Sequence, residues 1–316
     1  MTPRSPSQPR RFWREPVPWL YSFWKLSRPH TIVGTSLSAI ALYAIACALT
    51  EPAQLGRQLP VLLGAWLACL CGNVYIVGLN QLEDVAIDRI NKPHLPLAAG
   101  EFSLAQGRWL VAITGLAALG LAASLGGWLL ATVGSSLAIG TAYSLPPLRL
   151  KRFPLWAALC IFAVRGAIVN LGLFLHFNQQ LGGVPQLPPV LGALVVFILL
   201  FSIAIAIFKD IPDLEGDRRY QITTFTLLLG QSAVFNLARG ILTVCYLGAI
   251  AATLLGLPGV QPGIFGGGHG LLLGWFWWRS RRVDLGQQRD IARFYQFIWK
   301  LFFLDYLLFA VACWLA

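Results

Sequence analysis

Charge is scarce in this chain, so the places where carboxylates gather are informative. Of its 13 Asp and Glu residues, seven fall in two short blocks. The first runs from Asn80 to Asp88 and spaces Asn80, Asp84 and Asp88 at i, i+4 and i+8, one face of a helix. The second runs from Lys209 to Asp217 and spaces Asp210, Asp213 and Asp217 at i, i+3 and i+7, with Pro212 and Gly216 able to bend it. Two such stripes brought together repel unless cations lie between them. Hard oxygen ligands suit Mg²⁺, which takes one or two carboxylates and completes its shell with waters and phosphate oxygens. Mn²⁺ accepts the same donors. The implied ligand is a metal-bridged diphosphate, with nearby Lys and Arg adding phosphate contacts. A plainer alternative is a solvated face whose acids pair with Arg89, Lys92 and Arg218. The repetition of the pattern favours the metal.

The elements that carry these blocks are apolar. Of 316 residues 57% are hydrophobic and 12% charged, and the mean hydropathy is +0.66. A soluble globule of this size needs about twice that share of charge, and disorder needs far lower hydrophobicity. An all-α membrane protein follows, with apolar stretches near 31–49, 59–79, 109–125, 127–143, 155–175, 190–208, 232–256, 264–278 and 294–315. With nine spans, 20 of the 24 Lys and Arg fall on one side, which the positive-inside rule makes cytoplasmic. The N-terminus is then inside and the C-terminus outside. The net charge of +11 is scattered among short loops without long basic runs, so no nucleic-acid partner is expected. Six cysteines lie inside apolar runs without ligand spacing and read as buried packing residues.

Both acid blocks follow the second helix of a four-helix set, and they are offset by 129 residues (213 − 84 and 217 − 88). The same offset carries the basic group at 149–152 onto Arg279–Arg281. The expected architecture is nine transmembrane helices, two parallel four-helix units plus a ninth helix, around a central cavity. Residues 1–28 form a cytoplasmic tail with an interfacial aromatic stretch from Trp13 to Trp24, and residues 29–316 form a single membrane domain. The tail has no apolar signal-peptide core.

Asn80-xxx-Asp84-xxx-Asp88 and Asp213-xxx-Asp217 resemble the paired signatures of the UbiA-type intramembrane prenyltransferases. The resemblance extends over roughly residues 20–316. The flanking segments NQLEDVAIDRINKPHLPLAAGEFS (80–103), KDIPDLEGDRRYQITTF (209–225), RPHTIVGT (28–35) and AYSLPPLRLKRFP (142–154) are similar to the homogentisate prenyltransferases of oxygenic phototrophs, above all those of cyanobacteria that use a phytyl donor. This implies Mg²⁺-dependent transfer of a prenyl group, phytyl foremost, from its diphosphate to homogentisate with decarboxylation, a tocopherol-pathway step in a plasma or thylakoid membrane. Geranylgeranyl or solanesyl donors and other aromatic acceptors are the alternatives. Oligomeric state is not readable.

In that frame Asn80, Asp84, Asp88, Asp213 and Asp217 hold two Mg²⁺ ions. Arg149, Lys151 and Lys209 bind diphosphate. Tyr143 offers its ring to an allylic cation. Its place departs from the family's Tyr-xxx-Lys pattern, since Pro147 stands where the lysine is usual. For an acceptor carboxylate the candidates are Arg28, His30 and Arg165. Arg165 lies well within a span, where an ionisable group has either a function or a partner, and Asp305 or a carbonyl is the partner alternative. An ion-coupled transporter is the rival from another class. Its repeats more often run inverted, with sites at mid-membrane, whereas here the units run parallel and the acids sit at one surface.

Overall fold

The computed structural model describes residues 9–50, 58–184, 186–209, 211 and 225–316. Asp210, Asp213 and Asp217, and with them the second acid block, lie outside the described residues. Every regular element among the described residues is helical. A short amphipathic helix α1 (Pro16–Leu26) precedes α2 (Pro29–Thr50) and α3 (Leu59–Glu83). Then come a short α4 (Val85–Asn91), α5 (Leu104–Leu125), α6 (Gly127–Ser144) and α7 (Leu155–Gln180). The chain continues through α8 (Pro189–Phe208), α9 (Gln231–Leu254), α10 (Pro262–Ser280) and α11 (Gln288–Trp314).

Among the described residues seven helices, α2, α3, α5, α7, α8, α9 and α11, are long and apolar enough to cross a membrane. Without water at that depth a helix is the one open segment that satisfies its own backbone. The other two long helices, α6 and α10, are diluted by Gly, Ser and Thr rather than by charge. Eighteen residues still rise about 27 Å, close to the hydrocarbon thickness.

Inside a bilayer helices associate by close packing rather than by a hydrophobic drive, and small residues permit it. The α3–α5 pair shows this. Tyr75 lies against Gly115, where a Cβ would come within 2.6 Å of its ring, and Val111 lies against Gly78, where the approach would be 2.8 Å. Tyr75 Oη then reaches Thr141 Oγ1 of α6 at 2.8 Å, which ties the third helix in. The C-terminal half packs through aromatics instead: Phe197, Phe201, Tyr246, Phe265 and Phe309 interlock edge-on with centroids 4.8–6.3 Å apart. These two packed halves leave a space between α2, α3, α6, α7, α8 and α11.

The described part of the tail, 9–28, is fixed. Leu26 is buried with Leu97 and Phe102 of the segment that follows the first acid block. Glu101 accepts from Ser22 Oγ at 2.6 Å and pairs with Lys25.

Candidate active site

The first acid block does not continue α3 as one regular helix. The helix breaks at Asp84, whose φ of −109° and ψ of 16° end α3 and precede α4. The i→i+4 bonding nevertheless carries on, from Asp84 N to Asn80 O at 3.1 Å and from Asp88 N to Asp84 O at 2.7 Å. An aspartate at this position ordinarily caps the helix that follows. Here the carboxylate makes no cap bond. Asp84 Oδ1 takes Lys151 Nζ at 2.6 Å and Arg149 Nη2 at 3.2 Å, both from the turn after α6. Asn80 Nδ2 donates to Asp84 Oδ2 at 3.3 Å, and Arg28 Nη2 donates to Asn80 Oδ1 at 3.4 Å.

Asp88 is 5% exposed, and its Oδ2 makes no hydrogen bond to a described residue. Burial pushes its carboxyl above the ordinary carboxylate range, against the pull of Arg28, Lys92 and Lys151 and with the push of Asp84. Burial likewise lowers Lys151, against the pull of Asp84. Among the described residues no three acidic, His or Cys side chains gather in a metal cluster. The described part contributes two carboxylates and one amide oxygen, with one carboxylate oxygen buried and unpartnered. That set of hard donors fits a Mg²⁺-type ion completed by ligands from elsewhere.

Beside this ledge lies a cavity of about 310 Å³. It brings together Arg28, His30, Asn80, Tyr143, Arg165 and Lys209 from five helices and their ends. Its far wall is built by α7 and α11. Residues Phe162–Ile168 form a π turn inside α7, not the regular helix that uniform hydrophobicity suggests. The Arg165 guanidinium rests over the ring of Trp299 at 4.7 Å and near Phe302 at 5.9 Å. No carboxylate among the described residues forms an ion pair with it. Asp305 instead accepts from Tyr246 Oη at 3.0 Å. His30 meets the edge of Trp299 at 5.0 Å, on the same wall.

Sequence reasoning missed Trp299, Tyr306 and Asn170. Trp299 and Tyr306 line the cavity. Asn170 is a fully buried amide in a span. Its polarity within an apolar run was the available signal. The aromatics gave none, because the last span is rich in them throughout.

Residues 30–301 match the UbiA prenyltransferase family. The chain is 55% identical over 304 residues to the homogentisate phytyltransferase of Synechocystis sp., covering 94% of this chain and 96% of that protein. It is 42% identical to homogentisate phytyltransferase 1 of Arabidopsis thaliana, covering 92% of this chain and 74% of that protein. In fold it is similar to a UbiA homolog from Archaeoglobus fulgidus solved with GPP and Mg²⁺. The TM-score is 0.63 and the identity 14%, over 93% of this chain and all (100%) of that one. On the family match and these identities together, the chain belongs to the UbiA prenyltransferase family.

Proposed function

We propose that this protein transfers a prenyl group, phytyl foremost, from its diphosphate to homogentisate with loss of the acceptor's carboxylate, a step toward tocopherols. The observation that carries this reading is the division of one cavity into two chemistries. Arg28 and the Asn80 amide, which is bonded to Asp84 of the acid block, line one part of it, and Arg165 among aromatic rings lines another. The similarity to the Synechocystis and Arabidopsis phytyltransferases supports the same choice.

On this reading Asn80, Asp84 and Asp88, with Asp213 and Asp217, hold Mg²⁺. The bound metal would neutralise charge on the departing diphosphate. Arg149, Lys151 and Lys209 bind the diphosphate oxygens, and Arg28, beside Asn80, lies on that side too. When the C1–O bond breaks, diphosphate leaves with the electron pair. Tyr143 faces the same cavity, with its ring available to the allylic cation. The electron-rich acceptor ring attacks C1 and loses its ring proton. Its side-chain carboxylate departs as CO₂, and that carbon takes up a proton. The cavity must exclude water, which would otherwise quench the cation. Arg165 holds the acceptor carboxylate, and Trp299 and His30 flank the ring.

The architecture that fits is nine spans in two parallel four-helix units plus a last helix, as one domain over 29–316. The tail, 1–28, and the acid ledge lie on the cytoplasmic side. The test incubates membranes containing the protein with ring-labelled homogentisate, Mg²⁺ and phytyl, geranylgeranyl or solanesyl diphosphate in parallel, with Asp84→Ala beside each. A lipid-soluble methyl-prenyl-quinol formed best from the phytyl donor, and at least about 10³-fold slower in Asp84→Ala, is expected. A better rate with another donor moves the donor assignment and leaves the chemistry. Full activity in Asp84→Ala would overturn the metal–diphosphate reading itself.

A further inference from the structure

The π turn in α7 is built, and its construction points at one residue. A π turn adds a residue to the helical register and turns everything beyond it by about 100°. Because of this Arg165 faces the cavity while Asn170, Leu173, Phe174 and Phe177 beyond it are buried in the core. The Asn170 side chain bonds back into the turn: its Nδ2 donates to Arg165 O at 2.9 Å and to Gly166 O at 2.8 Å. Its Oδ1 accepts from Tyr306 Oη of α11 at 2.8 Å. The amide is 0% exposed, with both donors and its acceptor used. Behind the turn a Cβ on Gly166 would collide with Leu199 of α8, so the backbone is pressed in from that side as well.

We infer that Asn170, anchored by Tyr306, is a positioning residue: it fixes the turn that aims Arg165 into the cavity and so sets affinity for the acceptor's carboxylate. This rests on the reading of Arg165 as the acceptor's cation. Two features separate it from a simple polar clamp between α7 and α11. One of the two carbonyls it holds is that of Arg165 itself, and the other is that of the next residue. In addition, the anchoring Tyr306 and the Trp299 over which Arg165 lies belong to one helix, two turns apart, so α11 sets both the backbone and the guanidinium.

The test uses the purified full-length protein in lipid nanodiscs, with homogentisate and phytyl diphosphate varied separately. The variants are Asn170→Leu, Tyr306→Phe, Arg165→Gln and the double Asn170→Leu/Arg165→Gln. The expected result for Asn170→Leu is an acceptor KM raised about tenfold, with the donor KM within about twofold. Tyr306→Phe, which keeps the ring and the carbonyl bonds, should raise acceptor KM by about threefold. The double variant should be no worse than Arg165→Gln alone, since Asn170 acts through it. If Asn170→Leu does not yield folded protein, Tyr306→Phe and Asn170→Gln decide by the same criterion. Arg165→Gln raising acceptor KM while the Asn170 and Tyr306 variants leave it unchanged overturns the positioning role alone. Independent, multiplying effects in the double variant overturn it too. An unchanged acceptor KM in Arg165→Gln overturns the acceptor reading, and this inference with it.

Discussion

Two residues other than glycine adopt positive φ among the described residues, Arg28 at 53° and Arg149 at 38°. Both belong to the acid ledge, through Asn80 and Asp84 respectively. Left-handed backbone costs a side-chain-bearing residue about 1–2 kcal/mol and persists where the surroundings impose it. Asp84 adds to the pattern, because its carboxylate is drawn away from capping α4, an interaction typically worth about 1 kcal/mol. Local stability has been given up to bring opposite charges to one point. Arg149 therefore separates stability from function. Arg149→Gly relieves the backbone and should leave the melting temperature unchanged or raised, although the ion pair to Asp84 is lost. Arg149→Ala keeps the strain, loses the same ion pair and should melt lower. Both should raise the KM for prenyl diphosphate about tenfold, because the charge-assisted contact is gone in each. Thermal unfolding in detergent beside initial rates checks this, and a glycine variant that melts below the alanine variant contradicts the account of strain.

At the scale of elements, α1 fastens the tail to the segment beyond the acid block. Arg10 N donates to Glu101 O at 2.8 Å, Gln106 Nε2 to Arg10 O at 2.8 Å, and Gln81 Nε2 to Leu26 O at 2.7 Å. Glu101 is the centre of this fastening. Burial alone would raise its carboxyl, but the hydrogen bonds from Lys25 and Ser22, with the charges of Lys25 and Arg10, bring it below the ordinary range. A carboxyl lowered on folding stabilises above its unfolded value of about 4.3, and that contribution is lost as pH falls through the folded value. Glu101→Gln should thus destabilise by about 1 kcal/mol near neutrality, and its melting curve should converge on the parent's as pH falls through the lowered folded value. A gap that persists into strong acid would assign the loss to packing instead. Seven of the expected spans and the first acid block are legible in the sequence, because apolar length and residue spacing encode them directly. The break at Asp84 and the π turn around Arg165 are not. Each depends on partners far along the chain, Lys151 and Arg149 for one, Tyr306 and Leu199 for the other. A span that is apolar on every side has no periodicity to reveal a shift of register.

At the scale of the molecule, the remaining matter is how many helices cross. Composition marks seven, leaving α6 and α10 undecided. Contacts between helix ends speak for both. Lys151, just beyond α6, lies 2.6 Å from Asp84, at the end of α3 where α5 also begins. α6 therefore returns through the depth that α5 traverses. For α10, Gln261 N at its start donates to Ala312 O near the end of α11 at 2.8 Å. Phe276 near its other end meets Phe294 near the start of α11 at 6.0 Å. α10 thus runs antiparallel along nearly the whole of α11. Among the described loops, the two ends also differ in charge. Residues 145–153 and 281–287 carry Arg149, Lys151, Arg152, Arg281 and Arg282, whereas 181–184 and 255–261 carry no Lys or Arg. By the positive-inside rule this charge difference supports the proposed topology, with the acid ledge on the cytoplasmic side. Single cysteines in a background without the six native ones separate the counts. With nine spans, Val184→Cys faces outward and labels with a membrane-impermeant maleimide on intact cells, while Trp13→Cys and Arg282→Cys label after permeabilisation. With seven spans and α6 and α10 lying on the surface, Val184→Cys would join them inside. All three positions are exposed, so protection of Val184→Cys in intact cells would count against nine spans.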